Sequence, residues 1–132
     1  LTDTWKEHGI EKSNEFAILT DEVTKAWSGL STRQYKNLKG LKKENLRDNM
    51  STLELALNML AEATTTELTK VQNPEGLEEN RDTAKQGGSV AGNARKEIEN
   101  KTGKPVISSE NAESMLMGSV VTEMIEKLSG DK

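Results

Sequence analysis

The sequence of 132 residues contains no cysteine and a single histidine, and these shortages exclude most metal and redox chemistry. Disulfide bonds and thiolate zinc sites both require cysteine, so neither can form. The one imidazole, His8, has no second histidine at helical spacing with which to hold a zinc ion. We therefore expect no metal and no cofactor, and we interpret His8 as an ordinary surface residue.

Long apolar runs are also missing. No stretch approaches the roughly 18 consecutive apolar residues of a membrane-spanning helix, and the chain does not open with a basic-then-apolar signal segment. We expect a cytoplasmic protein without a membrane partner. The first residue is Leu1 rather than methionine, which is typical of a fragment cut from a larger protein.

Catalytic motifs are absent as well. A serine or threonine nucleophile needs a neighbouring base, and no Gly-x-Ser-x-Gly turn occurs. The stretch Thr102-Gly103-Lys104-Pro105 resembles a phosphate-binding loop only superficially. Ile98 stands where the first glycine belongs, and Pro105 replaces the hydroxyl residue needed at magnesium. We expect that the chain is not an enzyme.

The patterns that are present predict an all-α fold. Strand-like alternation is nearly absent, whereas apolar residues recur at steps of three and four. We predict one domain over residues 1–132, a bundle of about five to seven helices that is either compact or elongated. Residues 1–72 would form compact N-terminal helices, and residues 73–132 a polar helix followed by an apolar C-terminal helix. With 33% hydrophobic and 30% charged residues, the core should be thin.

The first half of the chain contains clear helix boundaries. Short helices are predicted from Thr2 to Gly9 and from 31 to 38, with a longer one between Ser13 and Gly29. Another is predicted over 43–50. All four aromatic residues lie in the first 35 positions, so we expect an aromatic core there: Trp5, Phe16, Trp27 and Tyr35.

The best-patterned helix begins at Ser51, where Ser51 and Glu54 form a capping box. Leu53, Leu57, Leu60, Thr64, Leu68 and Val71 step along it by three or four, and residues 73–76 end it. A polar helix should follow, interrupted at Gly87-Gly88 and closed by Gly103. The spacing of Gly88 and Gly92 also permits close helix packing, but we favour a flexible turn. A last helix, begun by Ser108 or Ser109, should dock on the domain or on another copy through Ala112, Leu116, Val120, Met124 and Leu128.

One segment of this acidic protein, whose net charge is −4, is strongly basic. Against the single acid Glu44 it places six cations within fifteen residues: Arg33, Lys36, Lys39, Lys42, Lys43 and Arg47. The predicted order of helix, glycine-containing turn and helix resembles a helix-turn-helix. These side chains are our candidate contacts to DNA phosphates. The alternative is a solvated basic face balanced by nearby acidic helices.

A second, looser basic group consists of Arg95, Lys96, Lys101 and Lys104, mixed with Glu97 and Glu99. This mixture favours a surface helix with ion pairs between successive turns over a DNA contact.

The block from Leu38 to Ala56 resembles the C-terminal region of the bacterial DNA-damage-inducible protein D family. There, a Gly-Leu-Lys-Lys run like that at Gly40 leads to a helix-opening Ser-Thr-x-Glu-Leu like that at Ser51. Further similar stretches are 15–18, 27–30, 90–98 and 102–104, so the likeness spans roughly residues 13 to 112. It implies a link to the DNA-damage response and recombinase regulation, and an N-terminal domain similar to those of phage antirepressors. It implies no catalytic residues.

The sequence thus predicts a non-catalytic helical domain of a DNA-damage-response or phage-related regulator. It would bind DNA, or a DNA-bound protein such as a recombinase, through the segment from Arg33 to Arg47. The alternative is a homo-oligomeric assembly module without direct DNA contact. In that case the helices at 51–72 and 109–128 would join copies through their apolar faces.

Overall fold

The computed structural model describes residues 1–109, which form five α-helices and one 3-10 turn. The helices are α1 (Thr2–Glu7), α2 (Ser13–Ser28), α3 (Thr32–Leu38), α4 (Thr52–Gln72) and α5 (Gly76–Thr102); the 3-10 turn is Arg47–Asn49. The predicted all-α bundle is confirmed. The predicted C-terminal helix falls outside the described residues. No helix in the described part of the chain is both long and apolar enough to cross a membrane.

Local hydrogen bonds fix the ends of α3 and α4 as the sequence predicts, whereas Leu1 and Lys12, rather than Thr2 and Ser13, precede α1 and α2. At the start of α4, the Ser51 hydroxyl accepts from the Glu54 amide at 3.3 Å, and the Ser51 amide donates to the Glu54 carboxylate at 3.2 Å. Ser31 and Gln34 form the same reciprocal pair at the start of α3. Asn73, in the left-handed conformation, ends α4. These capping boxes satisfy amides that have no partner inside the helix.

Helix α5 packs against both α2 and α4, and small residues make that packing close. A β-carbon at Gly87 would lie 2.7 Å from the Thr65 Cα atom, and one at Gly88 would lie 2.8 Å from the Val23 carbonyl oxygen. Real β-carbons essentially never approach other atoms so closely, so a side chain at either position would force the neighbouring helices to shift. The predicted interruption at Gly87-Gly88 is therefore wrong, because α5 continues through it. Close helix approach, the reading we did not favour, explains these glycines.

The aromatic residues form the centre of the core, as predicted. Trp5, Trp27 and Tyr35 are buried, Phe16 is half-buried, and the Trp27 and Tyr35 ring centroids lie 6.0 Å apart. The core also draws residues from later in the chain, among them Ala84, Ala91 and Val106. It therefore depends on α5 as well as on the N-terminal helices.

The stripe of residues at steps of three and four along α4 is only partly buried. Leu57 is buried, but Leu53 and Leu60 remain 41% and 40% exposed, and Val71 is 80% exposed. The buried face of α4 consists instead of Glu54, Leu57, Asn58, Ala61, Thr65 and Thr69. The Thr65 and Thr69 hydroxyls donate to backbone carbonyls of their own helix, which lets them be buried. Small residues are favoured on this face because α5 approaches so closely.

The predicted helix over 43–50 is also wrong, and with it the helix-turn-helix. Only the 3-10 turn Arg47–Asn49 forms there. Side chains bind the backbone locally instead: Glu44 accepts from the Lys42 amide at 2.8 Å, and Asn45 accepts from the Asp48 amide at 3.3 Å. Such bonds compete with the helical hydrogen-bonding pattern.

Candidate nucleic-acid interface

Helix α3 is anchored to α2 at its first residue. The Asp21 carboxylate of α2 accepts a hydrogen bond of 2.6 Å from the Thr32 amide. This contact complements the positive end of α3 and sets the helix beside α2. The cations that follow along α3 and its loop therefore occupy defined positions on the bundle.

Four of the six predicted cations are accessible and are together called the basic surface: Arg33, Lys36, Lys42 and Lys43. Lys36 is half-buried and the other three are exposed. Within residues 1–109, none of the four forms an ion pair, whereas cations such as Lys25, Arg81 and Lys101 do. The basic surface thus keeps its positive charge in an acidic protein.

Lys39 does not belong to this surface, and its prediction as a phosphate contact is wrong. Its ammonium group lies 2.8 Å from the Glu54 carboxylate and 2.8 Å from the Ser108 carbonyl oxygen. The side chains of Lys39 and Glu54 are 1% and 0% exposed. A buried carboxylate requires a countercharge, so the Lys39 ammonium stays in the interior, where it neutralises Glu54. The repeat of three along α3 that links Lys39 to Arg33 and Lys36 gives no sign of this burial.

Tyr35 completes the buried polar cluster around Glu54. Its hydroxyl donates to the Glu54 carboxylate, and the Lys39 ammonium lies 5.9 Å from the centre of its ring. Burial, and next the hydrogen bond to the negatively charged Glu54, raise the pKa of Tyr35 far above its usual value. The cluster links α3, the start of α4 and residue 108. It therefore ties these three parts of the chain together in the interior.

Arg47 is partly neutralised. Its guanidinium lies 3.3 Å from the Glu62 carboxylate, and both side chains are partly exposed. An exposed pair of this kind contributes little energy, about 0 to 1 kcal/mol, so a phosphate could displace Glu62. We count Arg47 as a secondary contact at the edge of the basic surface.

A surface groove between α2 and α3 runs along the basic surface. Three of its cations line the groove together with the Asp21 carboxylate and with apolar and neutral polar side chains of α2, α3 and the loop after α3: Ala17, Ile18, Thr20, Asp21, Thr32, Arg33, Lys36, Asn37, Leu41 and Lys42. A neighbouring cavity of about 270 Å³ shares Thr20, Thr32 and Lys36 with it. Lys36 therefore lies between the groove and the cavity. No sequence pattern indicates that α2 lines this groove, because tertiary packing brings α2 beside α3.

The second basic group forms the predicted ion pairs within a surface helix at two of its four cations. Arg95 pairs with Glu99 at 2.8 Å and also donates to the Trp27 carbonyl at 2.7 Å. Lys101 pairs with Glu97 at 3.3 Å. Arg95 and Lys101 therefore have carboxylate partners on α5, whereas Lys96 and Lys104 form no ion pair within residues 1–109.

His8 is more enclosed than we expected. It is half-buried, and its Nδ1 atom lies 3.1 Å from the Pro74 carbonyl oxygen, which connects α1 to the turn before α5. Among residues 1–109, no group of three or more ligating side chains is placed to hold a metal ion.

Comparison with known proteins assigns the chain to a family. A family model described as the DinD C-terminal domain matches residues 1–130. No curated protein and no solved structure matches the chain. The family match confirms the resemblance found in the sequence. The antirepressor-like N-terminal domain that the resemblance implied stays a prediction.

Proposed function

The chain belongs to the DinD C-terminal domain family, and we propose that it is a cytoplasmic, non-catalytic domain that binds DNA phosphates through its basic surface. The family relates it to DNA damage. The observation that supports DNA contact is the set of four cations without carboxylate partners in the described part of a chain whose net charge is −4. In a protein of that net charge, a patch of unpaired cations offers the local attraction for a polyanion.

The chemistry of this surface suits backbone binding rather than base reading. Arg33 and Lys36 lie one turn apart on α3, and Lys42 and Lys43 follow in the loop. Ammonium and guanidinium groups at such spacing neutralise neighbouring phosphates and release counterions, which makes binding dependent on salt and largely independent of sequence. The second helix of the predicted helix-turn-helix does not form, so nothing favours base reading by a recognition helix. The groove beside the cations would hold the sugar-phosphate backbone.

The test is binding of fluorescently labelled single- and double-stranded DNA, measured by anisotropy over a salt series. Four phosphate contacts predict a slope of log K against log salt of about −3.6 on duplex DNA, since each contact contributes about −0.9. The double variant Arg33→Glu and Lys42→Glu should flatten the slope by about 2 and weaken binding at low salt.

The matched control is Lys6→Glu with Lys85→Glu. Both lysines are exposed, lie outside the basic surface and form no ion pair among the residues described. The control changes the net charge by the same amount. An equal loss of DNA affinity in the two double variants would therefore mean that only the overall charge of the protein matters. No binding at low salt would reject DNA as the ligand and leave a DNA-bound acidic protein as the partner to be sought.

A second candidate function, assembly of copies without DNA contact, is favoured by the large apolar side chains that α4 exposes. Leu53, Met59 and Leu60 are each at least 40% exposed on this helix. Light scattering of the 132-residue chain at high concentration tests this directly. A monomer would reject assembly, and a dimer without affinity for DNA would favour it over the first proposal.

A further inference from the structure

The cavity beside the groove of the basic surface is half-open and is enclosed by residues of α1, α2, α3, the segment around the 3-10 turn and α4. Thr20, Thr32 and Lys36 line both the cavity and the groove, so the two are continuous. Its volume of about 270 Å³ lies just below the roughly 300 to 1,000 Å³ of small-molecule pockets. The cavity therefore suits a single ring system that is attached to something lying in the groove.

The walls of the cavity offer both apolar surface and unused hydrogen-bonding groups. The Thr20 and Thr32 hydroxyls and the Asn45 side-chain nitrogen line it and form no hydrogen bond within residues 1–109. A nucleobase combines apolar faces with a polar edge, and proteins hold unstacked bases between apolar side chains and hydrogen-bonding groups. The buried apolar residues that line the cavity are Trp5, Val23, Leu46 and Met50.

The charged side chains of the lining favour a ring that is attached to an anion. Lys36 and Arg47 are positive, and Glu62 is the one acid among the lining residues. The Glu62 carboxylate is already paired with Arg47 at 3.3 Å, and Lys36 forms no ion pair within residues 1–109. Lys36 is therefore free to bind a phosphate at the place where the groove meets the cavity.

We propose that the cavity accepts one unpaired base of a DNA strand whose phosphates lie on the basic surface. This inference rests on the proposed function, because the groove must first hold the strand. An unpaired base costs little to turn out of the stack, whereas a paired base must also break its pair. A base that belongs to a strand also has an advantage over a free nucleotide, because the neighbouring phosphates hold it at the cavity.

The experiment compares three DNAs by anisotropy at one low salt concentration: a perfect duplex, the same duplex with one unpaired thymidine, and the same duplex with an unpaired abasic nucleotide. The last two carry the same number of phosphates and differ only in the base. We expect the unpaired thymidine to bind at least about fivefold more tightly than the abasic site, which corresponds to about 1 kcal/mol. The abasic DNA and the perfect duplex should bind alike.

Two variants that narrow the cavity test where the base is held. Thr2→Trp and Asn45→Trp both place a large side chain at an exposed residue that lines the cavity but not the groove. Each should remove the preference for the unpaired thymidine and leave binding of the perfect duplex unchanged. The matched control is Thr52→Trp, at an exposed residue that lines neither the cavity nor the groove, and it should keep the preference.

The outcomes separate this inference from the proposed function. Equal binding of all three DNAs would retain the phosphate contact and reject the base site, whereas no binding to any of them would reject both. A preference that survives in both cavity variants would place the base elsewhere and overturn the assignment. Thymidine monophosphate should compete far more weakly than the DNA with the unpaired thymidine. Equally strong competition would assign the cavity to free nucleotides instead.

Discussion

Replacing Gly87 with alanine tests the close packing of α4 and α5, on which the whole bundle depends. The new β-carbon would lie 2.7 Å from the Thr65 Cα atom and closer still to the Thr65 hydroxyl oxygen. Rotating the Thr65 side chain can move its hydroxyl, but it leaves the Cα atom in place. The two helices must therefore separate, and the contacts along their interface weaken.

Two opposing terms set the size of the effect. Alanine is favoured over glycine inside a helix by about 1 kcal/mol, whereas overpacking a tight interface costs about 1 to 3 kcal/mol. Because the overlap involves a backbone atom, we expect the cost to lie at the upper end of that range. The net loss in the free energy of unfolding should be about 2 kcal/mol, a large share of the roughly 5 to 15 kcal/mol typical of a domain.

The assay is urea unfolding followed by helical circular dichroism, with Ser89→Ala as the matched control. Ser89 lies on the same helix but is exposed, so its replacement should be neutral or stabilising by up to about 0.5 kcal/mol. Adding Thr65→Ala to Gly87→Ala should recover only part of the loss. If Gly87→Ala instead raises the stability as helix propensity alone predicts, the close approach of α4 and α5 is wrong.

Three further predictions concern the buried cluster and its cap. Lys39→Met should lower the free energy of unfolding by about 3 to 5 kcal/mol, because Glu54 stays buried without its countercharge, whereas Lys43→Met on the exposed loop should be nearly neutral in the same urea assay. The raised pKa of Tyr35 means that its neutral form stabilises the fold fully below about pH 10 and that this stabilisation is lost at higher pH, as the unfolded chain ionises. Above that pH the stability difference between the native chain and Tyr35→Phe should shrink by about 1.4 kcal/mol per pH unit, and a constant difference would contradict the assignment. Ser51→Ala should cost about 1 kcal/mol by removing the cap of α4, measured as a lower thermal midpoint.

Part of the candidate site follows from the sequence, and part of it does not. The density of cations between Arg33 and Arg47 is a local property, and in the structure Arg33, Lys36 and Lys42 line one groove. Lys39 has the same charge and spacing, yet its partners lie 15 and 69 residues away, at Glu54 and Ser108. No local pattern distinguishes a lysine that faces solvent from one that neutralises a buried carboxylate.

The sequence by itself determined the helical class, the family and the ends of α3 and α4 that have local caps, since the hydrogen bonds of Ser31, Ser51 and Asn73 close within four residues. Only the tertiary structure decided which faces of those helices meet. Gly87 and Gly88 look like a flexible break until Thr65 and Val23 are seen against them. A glycine is equally compatible with a turn and with a close contact, because a missing side chain leaves no pattern. Whether a glycine forms a turn or a close contact depends on which residues from the rest of the chain pack against it.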